Sequence, residues 1–324
     1  MISQKVIEAS HLTIEIPDTG ETMTIKLNSF YKMLMKTYNA AIMDNEDLVI
    51  LINAYERKGK STLARTIGYI IDSAQVGKGK YFNLDNVYFS PEDVAMMFRK
   101  VPDSEQGSVH IVDEAQNVIH RRDAMTMINK LIDKGLKTIG EFRQVFIFNS
   151  PAFWELDVIL RRTDILLNIP EKGHVEVYTG EFLNAIKYVV SWKTKWYDFQ
   201  DIIDTAMSAK KFKYLDWSSI WEFDFNPLPP REMSLYRARA RKHKGQFLKQ
   251  IANAILEVTK GGEEGYYTVK QAAKVIGISA DALYKHIQRG NIAILKRGNK
   301  VFIPQKELER FYRSYLTGKA KARA

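Results

Sequence analysis

The sequence predicts a three-layer α/β domain followed by a small basic module of two short helices and a hairpin. Three observations carry this. Between residues 46 and 180, apolar runs of strand length alternate with segments of helical spacing. One of these runs, Leu48-Val49-Ile50-Leu51-Ile52, leads straight into Ala54-Tyr55-Glu56-Arg57-Lys58-Gly59-Lys60-Ser61-Thr62. The charge is also divided along the chain. Residues 231–324 hold 21 Lys/Arg against 7 Asp/Glu, whereas residues 1–230 hold 27 against 31.

Length and composition set the outer bounds. A chain of 324 residues suffices for one large domain or two modest ones, and 45% apolar with 27% charged residues is ordinary globular composition. With no cysteine, disulfides, thiolate metal sites and a cysteine nucleophile are excluded. No apolar run approaches the ~18 residues of a membrane span, and the expected location is cytoplasmic.

Strand, loop ending in Gly-Lys-Ser, then the amphipathic Leu63–Ile71 segment is the context of a phosphate-binding P-loop. Its N–H groups and the helix N-terminus would cradle a triphosphate, so Ala54, Glu56, Arg57, Lys58, Gly59, Lys60, Ser61 and Thr62 are the candidate nucleotide-binding residues. Lys60 would reach the β- and γ-phosphates, and Ser61 would take a position on Mg²⁺. The loop reads A-x-x-x-x-G-K-S, with Ala54 where the motif has its first glycine. Alanine is tolerable there at negative φ and ruinous in a left-handed conformation. Glu56 is a further departure, outnumbered by Arg57 and Lys58.

The rest of the chain is read in order. Residues 11–27 alternate apolar and polar around Pro17-Asp18-Thr19-Gly20, a hairpin, and Asn28 or Ser29 opens a helix. A second strand falls within residues 81–89, and Ser90-Pro91 starts a helix. A third strand, Ser108–Val112, ends in Asp113-Glu114, with Asp113 suited to the Mg²⁺ shell and Glu114 to general-base activation of water. A helix is expected from Arg122 to Leu136, then a fourth strand ending at Asn149. If that strand lies between the P-loop strand and the Asp113 strand, Asn149 faces the γ-phosphate. Phe153–Arg162 reads as a helix, followed by a fifth strand over residues 163–170 and a sixth over 175–178.

Arg161 and Arg162 are candidates for an arginine finger acting in a neighbouring subunit, with Arg143 and Arg121 as rivals. GTP is disfavoured, because Asn129-Lys130-Leu131-Ile132 has isoleucine where a guanine-reading aspartate belongs. Residues 180–230 are rich in aromatics, which fit a core or an oligomer interface better than a base-stacking surface. Asn226-Pro227-Leu228-Pro229-Pro230 marks a domain boundary, and a long basic helix runs from Arg231 to about Lys260.

In the last module, Tyr267–Ser279 reads as strand entry, helix and glycine turn, and Ser279 caps a helix from Ala280 to Arg289. Asp281, Tyr284, Lys285, Gln288 and Arg289 would face a major groove, while Lys296, Arg297 and Lys300 at a hairpin tip would touch phosphates. The predicted organisation is an N-terminal extension (1–45), a P-loop core (46–180), an aromatic-rich helical extension (181–230), a basic helix and linker (231–265), a winged helix-turn-helix (266–318) and a basic tail (319–324).

Two resemblances sharpen this. "YTVKQAAKVIGISADALYKHIQRGNI" with "GNKVFIPQKELERF" resembles the excisionase/MerR-type winged helix-turn-helix. "AYERKGKST", "VHIVDEAQN" and "VFIFNSPAFWELDVILRRTDILLNI" resemble the additional-strand P-loop ATPases (RecA/ASCE-like) of FtsK–HerA type, as carried by archaeal viruses and plasmids. The second resemblance implies Mg²⁺-dependent ATP hydrolysis, a ring-shaped homo-oligomer and duplex DNA as the track, with packaging, transfer or replication of a mobile genome as the process. It carries those roles onto Lys60, Ser61, Asp113 and Glu114, and extends to Asn149, where the family usually has glutamine. Two other readings are weighed: an ATP-gated DNA-binding regulator with slow or no turnover, and a morphogenesis ATPase of zonular-occludens type, a family that generally has a membrane segment.

Overall fold

The computed structural model describes residues 1–75, 82–118, 134–135, 138–192, 196–262, 265–297 and 300–321. The alternating N-terminal stretches pair antiparallel as β1 (His11–Glu15) and β2 (Thr22–Lys26), with Leu12 opposite Ile25. Asn28 is the cap of helix Ser29–Met43, its side chain accepting from the Tyr31 N–H at 2.9 Å. That helix buries Phe30, Leu34, Met35 and Tyr38 against the main sheet's core.

The main sheet contains β3 (Leu48–Asn53), β4 (Val87–Tyr88), β5 (Val109–Val112), β6 (Val145–Ser150), β7 (Ile165–Asn168), β8 (His174–Tyr178) and β9 (Trp221–Asp224). Their order is β4-β5-β6-β3-β7-β8-β9. The first five are parallel, and β8 and β9 add antiparallel at one edge. Parallel strands covered on both faces are largely apolar, which is why β3 and β7 read as unbroken runs up to their closing asparagines. Ile50, Ile52 and Ile147 point into a layer with Ile67 and Ile70 of helix Lys60–Ala74. Val49, Leu51 and Phe148 point the other way, toward Phe153, Ile159, Ile186 and Ile202. The result is three layers, and β6 lies between β3 and β5, the condition set for Asn149.

Two differences from the sequence reading have local causes. The second strand shrinks to Val87–Tyr88, because Asn83 accepts from the Asp85 N–H at 2.8 Å and turns Leu84–Asn86 into a 3₁₀ helix. The aromatic-rich region holds helices Gly180–Val190 and Phe199–Ser208, and also β9, a strand not expected there. β9 shows three exposed residues around the buried Phe223, whose ring stacks on Phe30 with centroids 4.3 Å apart. Trp196, Phe199 and Phe212 are buried and Trp192, Tyr197 and Trp221 are exposed, so the region is partly core. The helix expected over 122–136, and with it Arg121, lies outside the described residues apart from a helical turn at 134–135.

The chain divides into two compact units, Met1–Ala240 and Arg241–Ala324, beyond the proline-rich break at 226–230. The boundary shifts because the first turns of helix Pro230–Gly262 pack on the first unit. In the second unit, Thr268 and Gln271 form a capping box at the head of helix Val269–Ile276, and Gly277 ends it at φ 70°. Ser279 then caps helix Ala280–Gln288. β10 (Tyr266–Thr268), β11 (Leu295–Arg297) and β12 (Lys300–Pro304) pair in the order β10-β12-β11, and helix Gln305–Lys321 follows. Leu283, Ile292, Ile303, Leu308 and Phe311 make a separate core.

At the sheet edge, His174 donates from Nδ1 to Asp224 at 3.0 Å, and its Nε2 lies 3.4 Å from Glu222. The hydrogen bond to Asp224 is the leading cause of a raised imidazole pKa. The stabilisation from the charged ring is therefore full below pH ~6.5 and lost as the pH rises through the raised value. Asp224→Asn is expected to lower the His174 midpoint in an NMR titration; an unmoved midpoint would mean that this pair does not hold β8 to β9.

Candidate functional site

The phosphate loop grows out of β3. Ala54 continues the ladder with its N–H on Ser150 O at 3.4 Å, and it is not among the positive-φ residues. The left-handed positions are Arg57 (φ 64°) and Gly59 (φ 110°), so the glycine-to-alanine departure costs no strain. A side chain at Gly59 would be strained at that φ, and its Cβ would come 2.9 Å from the Phe225 ring, which would have to move. Gly59 precedes the first turn of helix Lys60–Ala74, where N–H groups lack helical acceptors. Lys60 folds back over the loop, donating to Ala54 O at 2.5 Å and Tyr55 O at 3.1 Å. Glu56 and Arg57 are exposed, Lys58 is half-buried, and the buried Thr62 donates its hydroxyl to Met233 Sδ at 3.7 Å.

Asp113 stands one residue past β5, buried, its N–H on Tyr88 O. Cross-strand register fixes its neighbours: Val112 pairs with Phe148, and Ile52 with Asn149. Asn149 Nδ2 donates to Asp113 Oδ1 at 2.8 Å, and the Ser61 hydroxyl lies 3.2 and 3.0 Å from the two carboxylate oxygens. Asn149 Oδ1 is buried with no hydrogen-bond partner among the described residues. Glu114 follows at φ 55°, half-buried, a non-glycine residue in the left-handed region. Such strain persists only where surrounding structure enforces it, and it concentrates at functional positions.

Further residues surround this site that the sequence reading did not mark. Tyr236, on helix Pro230–Gly262, donates its hydroxyl to Asp113 Oδ2. Its ring lies under the Arg65 guanidinium, 4.1 Å from Cζ to centroid, and 5.9 Å from the Phe89 ring. Arg65 and Glu232 form an ion pair at 2.7 Å with side chains 1% and 0% exposed, and Tyr69 donates to the same Glu232 oxygen at 2.7 Å. Burial, then the Glu232 charge, raise the Tyr69 pKa. Burial, then the Asp113 charge, raise that of Tyr236, so both hydroxyls stay protonated as donors. The signals were present: an arginine inside an apolar helix, and a single acid in the first turn of a basic one.

A cleft of about 230 Å³ opens beside the loop, walled by Ala54, Tyr55, Pro151, Trp154, Asn168 and Phe199. The arginines are elsewhere. Arg162 pairs with Asp47 at 2.6 Å, Arg161 offers its carbonyl to Lys187, and Arg143 precedes β6. Asp47 and Arg143 precede strands whose far ends carry the loop and Asn149, so these arginines stand at the opposite end of the strands from their own loop.

In the second unit, Asp281, Tyr284, Lys285, Gln288 and Arg289 are all exposed, with Leu283 buried beneath them. Lys296 is exposed on β11; the side chains of Arg297 and Lys300 lie outside the described residues, although their backbones pair across the hairpin. Residues 266–315 match the family model of a helix-turn-helix domain. No curated protein matches the chain.

Several solved structures are similar in outline. The N-terminal domain of zonular occludens toxin from Neisseria meningitidis is 13% identical over 58% of this chain and 98% of its own, with a TM-score of 0.34. The genome-packaging NTPase of Sulfolobus turreted icosahedral virus 2, in complex with ATPγS, is 13% identical over 42% of this chain and 92% of its own, with a TM-score of 0.28. A RuvB variant from Thermotoga maritima is 16% identical over 92% and 98%, with a TM-score of 0.30. The superpositions are loose, and the P-loop NTPase fold stands on the strand order and the loop itself. Among the described residues, no helix is long and apolar enough to cross a membrane.

All five tryptophans lie between residues 154 and 221, so their fluorescence reports the first unit alone. Glu232→Ala leaves the Arg65 charge buried without its partner and is expected to cost about 3–5 kcal/mol in tryptophan-detected urea unfolding. A loss under about 1 kcal/mol would show that the pair does not clamp the helix to the loop unit.

Proposed function

We propose that the chain hydrolyses ATP and binds duplex DNA, as an oligomeric motor that packages, transfers or replicates a mobile genome of viral or plasmid type. The observation that carries the reading is the convergence of Ser61, Asn149 and Asp113 beside a phosphate loop, on strands ordered with β6 between β3 and β5. In that arrangement the loop N–H groups and the helix N-terminus hold the phosphates. Lys60 exchanges its bonds to Ala54 O and Tyr55 O for phosphate oxygens.

The donor set suits Mg²⁺: one hydroxyl and one carboxylate, with no cage of three acidic or histidine side chains among the described residues. Mg²⁺ is commonly held by one or two carboxylates together with substrate phosphates. Ser61 and Asp113 would hold it, and when bound it neutralises charge on the transferring phosphoryl group. Glu114 takes a proton from the attacking water as the water oxygen bonds to the γ-phosphorus and the bond to the β,γ-bridging oxygen breaks. Asn149 Oδ1, with no other partner among the described residues, accepts a hydrogen bond from that water and orients it. An arginine finger from Arg161 or Arg162 would act on a neighbouring copy, and Arg162 would first release Asp47. The exposed Tyr284, Lys285, Gln288, Arg289 and Lys296 would meet DNA.

One observation favours a second reading, an ATP-gated DNA-binding regulator with slow turnover: Asp113 is engaged by Tyr236 and Lys60 by its own loop. ATP turnover at low salt, with and without duplex DNA, separates the two. The motor reading expects stimulation by DNA, and Glu114→Gln should lower turnover by about 10²–10⁴-fold while ATP affinity changes little. ATP binding with negligible turnover under every condition would favour the regulator.

A further inference from the structure

Three donors among the described residues meet the Asp113 carboxylate: Asn149 on Oδ1, Tyr236 on Oδ2, and Ser61, whose hydroxyl lies 3.2 and 3.0 Å from the two oxygens and has one proton to give. An ionised carboxylate has about four lone-pair positions; three donors take three of them, and the Tyr236 hydroxyl takes its place on Oδ2, the oxygen nearer Ser61. A cation held by Ser61 together with Asp113 Oδ2 would need the place that the tyrosine hydroxyl fills, so that a donor yields when metal and nucleotide are held here. Asn149 is fixed on a fully buried strand with neighbours on both sides, and Ser61 sits in the first turn of the loop helix. Of these three donors, Tyr236 is the one supplied by an element outside the sheet and its loop helix.

We propose that Tyr236 is a positioning residue of the metal site: its hydroxyl holds the place on Asp113 that a nucleotide-bound cation requires, and the two are mutually exclusive. This rests on the ATP reading above. The consequence reaches along the helix. Glu232 is anchored by Arg65 and Tyr69, and Tyr236 lies one turn further on the same face. When the hydroxyl gives up Asp113, the turns after Glu232 lose a charged hydrogen bond, and these turns belong to the helix that runs to Gly262, just ahead of β10. Nucleotide occupancy thereby bears on the segment that leads into the helix-turn-helix unit. By linkage, anything that draws that segment off Asp113 favours the metal-bound nucleotide equally.

The ring and the hydroxyl can be tested separately, because the ring has its own packing on Arg65 and Phe89. Tyr236→Phe keeps that packing and frees one acceptor position on Asp113. The full chain is titrated with a fluorescent ATP analogue in Mg²⁺ and again in EDTA. Tyr236→Phe is expected to bind the Mg²⁺ complex about tenfold tighter than wild type, the scale of one hydrogen bond to a charged group. Its affinity in EDTA should stay within about twofold. In parallel, amide exchange over residues 233–240 of wild type should quicken when Mg²⁺ and ATPγS are added. Equal or weaker Mg²⁺-dependent binding by Tyr236→Phe, or unchanged exchange in wild type, overturns the proposal. If wild type binds nucleotide in neither condition, the ATP reading itself fails and this one falls with it.

Discussion

A buried carboxylate must find donors, and in this fold Asp113 finds them on three separate elements. Leaving an ionised group dry and unpaired is costly enough that the group would neutralise or the structure rearrange. Ser61 from the loop helix, Asn149 from β6 and Tyr236 from helix Pro230–Gly262 together meet that demand. The strand order, the start of the P-loop helix and the docking of the helix head are thus tied to one side chain. In the function proposed, it is also the side chain that a nucleotide-bound cation would use, and structural satisfaction and chemistry would then compete for the same oxygens.

The buried pair of Arg65 and Glu232 extends that logic. Two charges with 1% and 0% exposure return little net stability over an apolar substitute. What such a pair supplies is register: Arg65 Nε donates to Ser61 O, Nη1 to Glu232 and Nη2 to Met233 Sδ, which sets where the helix head meets the loop helix. The N-terminal hairpin region adds to the arrangement, with Glu21 accepting from the Glu232 N–H and Asp18 from the Leu84 N–H. An addition with no chemistry of its own thus braces two segments beside the site.

The second unit is organised differently. Its helices are begun and ended by contacts two to four residues apart, namely the Thr268–Gln271 box, the left-handed Gly277 and the Ser279 cap. Its core is small and self-contained, while the basic side chains stay on the surface. Local signals of this kind are written into consecutive residues. The helix pair, the strands and the exposed face were accordingly legible in the amino-acid sequence, residue by residue.

In the first unit, legibility stopped where distance along the chain became large. Apolar runs identified β3, β5, β6 and β7, and the Gly-Lys-Ser loop and Asp113-Glu114 identified candidate chemistry, because each is written in a few consecutive residues. β9 escaped, since a strand with one buried residue in four has no apolar run to betray it. Tyr236 and Asp113 are 123 residues apart, Arg65 and Glu232 167, and nothing in either local pattern names its partner. The sequence by itself therefore determined the elements, the loop and the basic module, all products of short-range sterics, capping and periodicity. Only the tertiary structure decided that β6 enters between β3 and β5 and that the helix head closes on Asp113. Both depend on which buried surfaces and polar groups satisfy one another at long range.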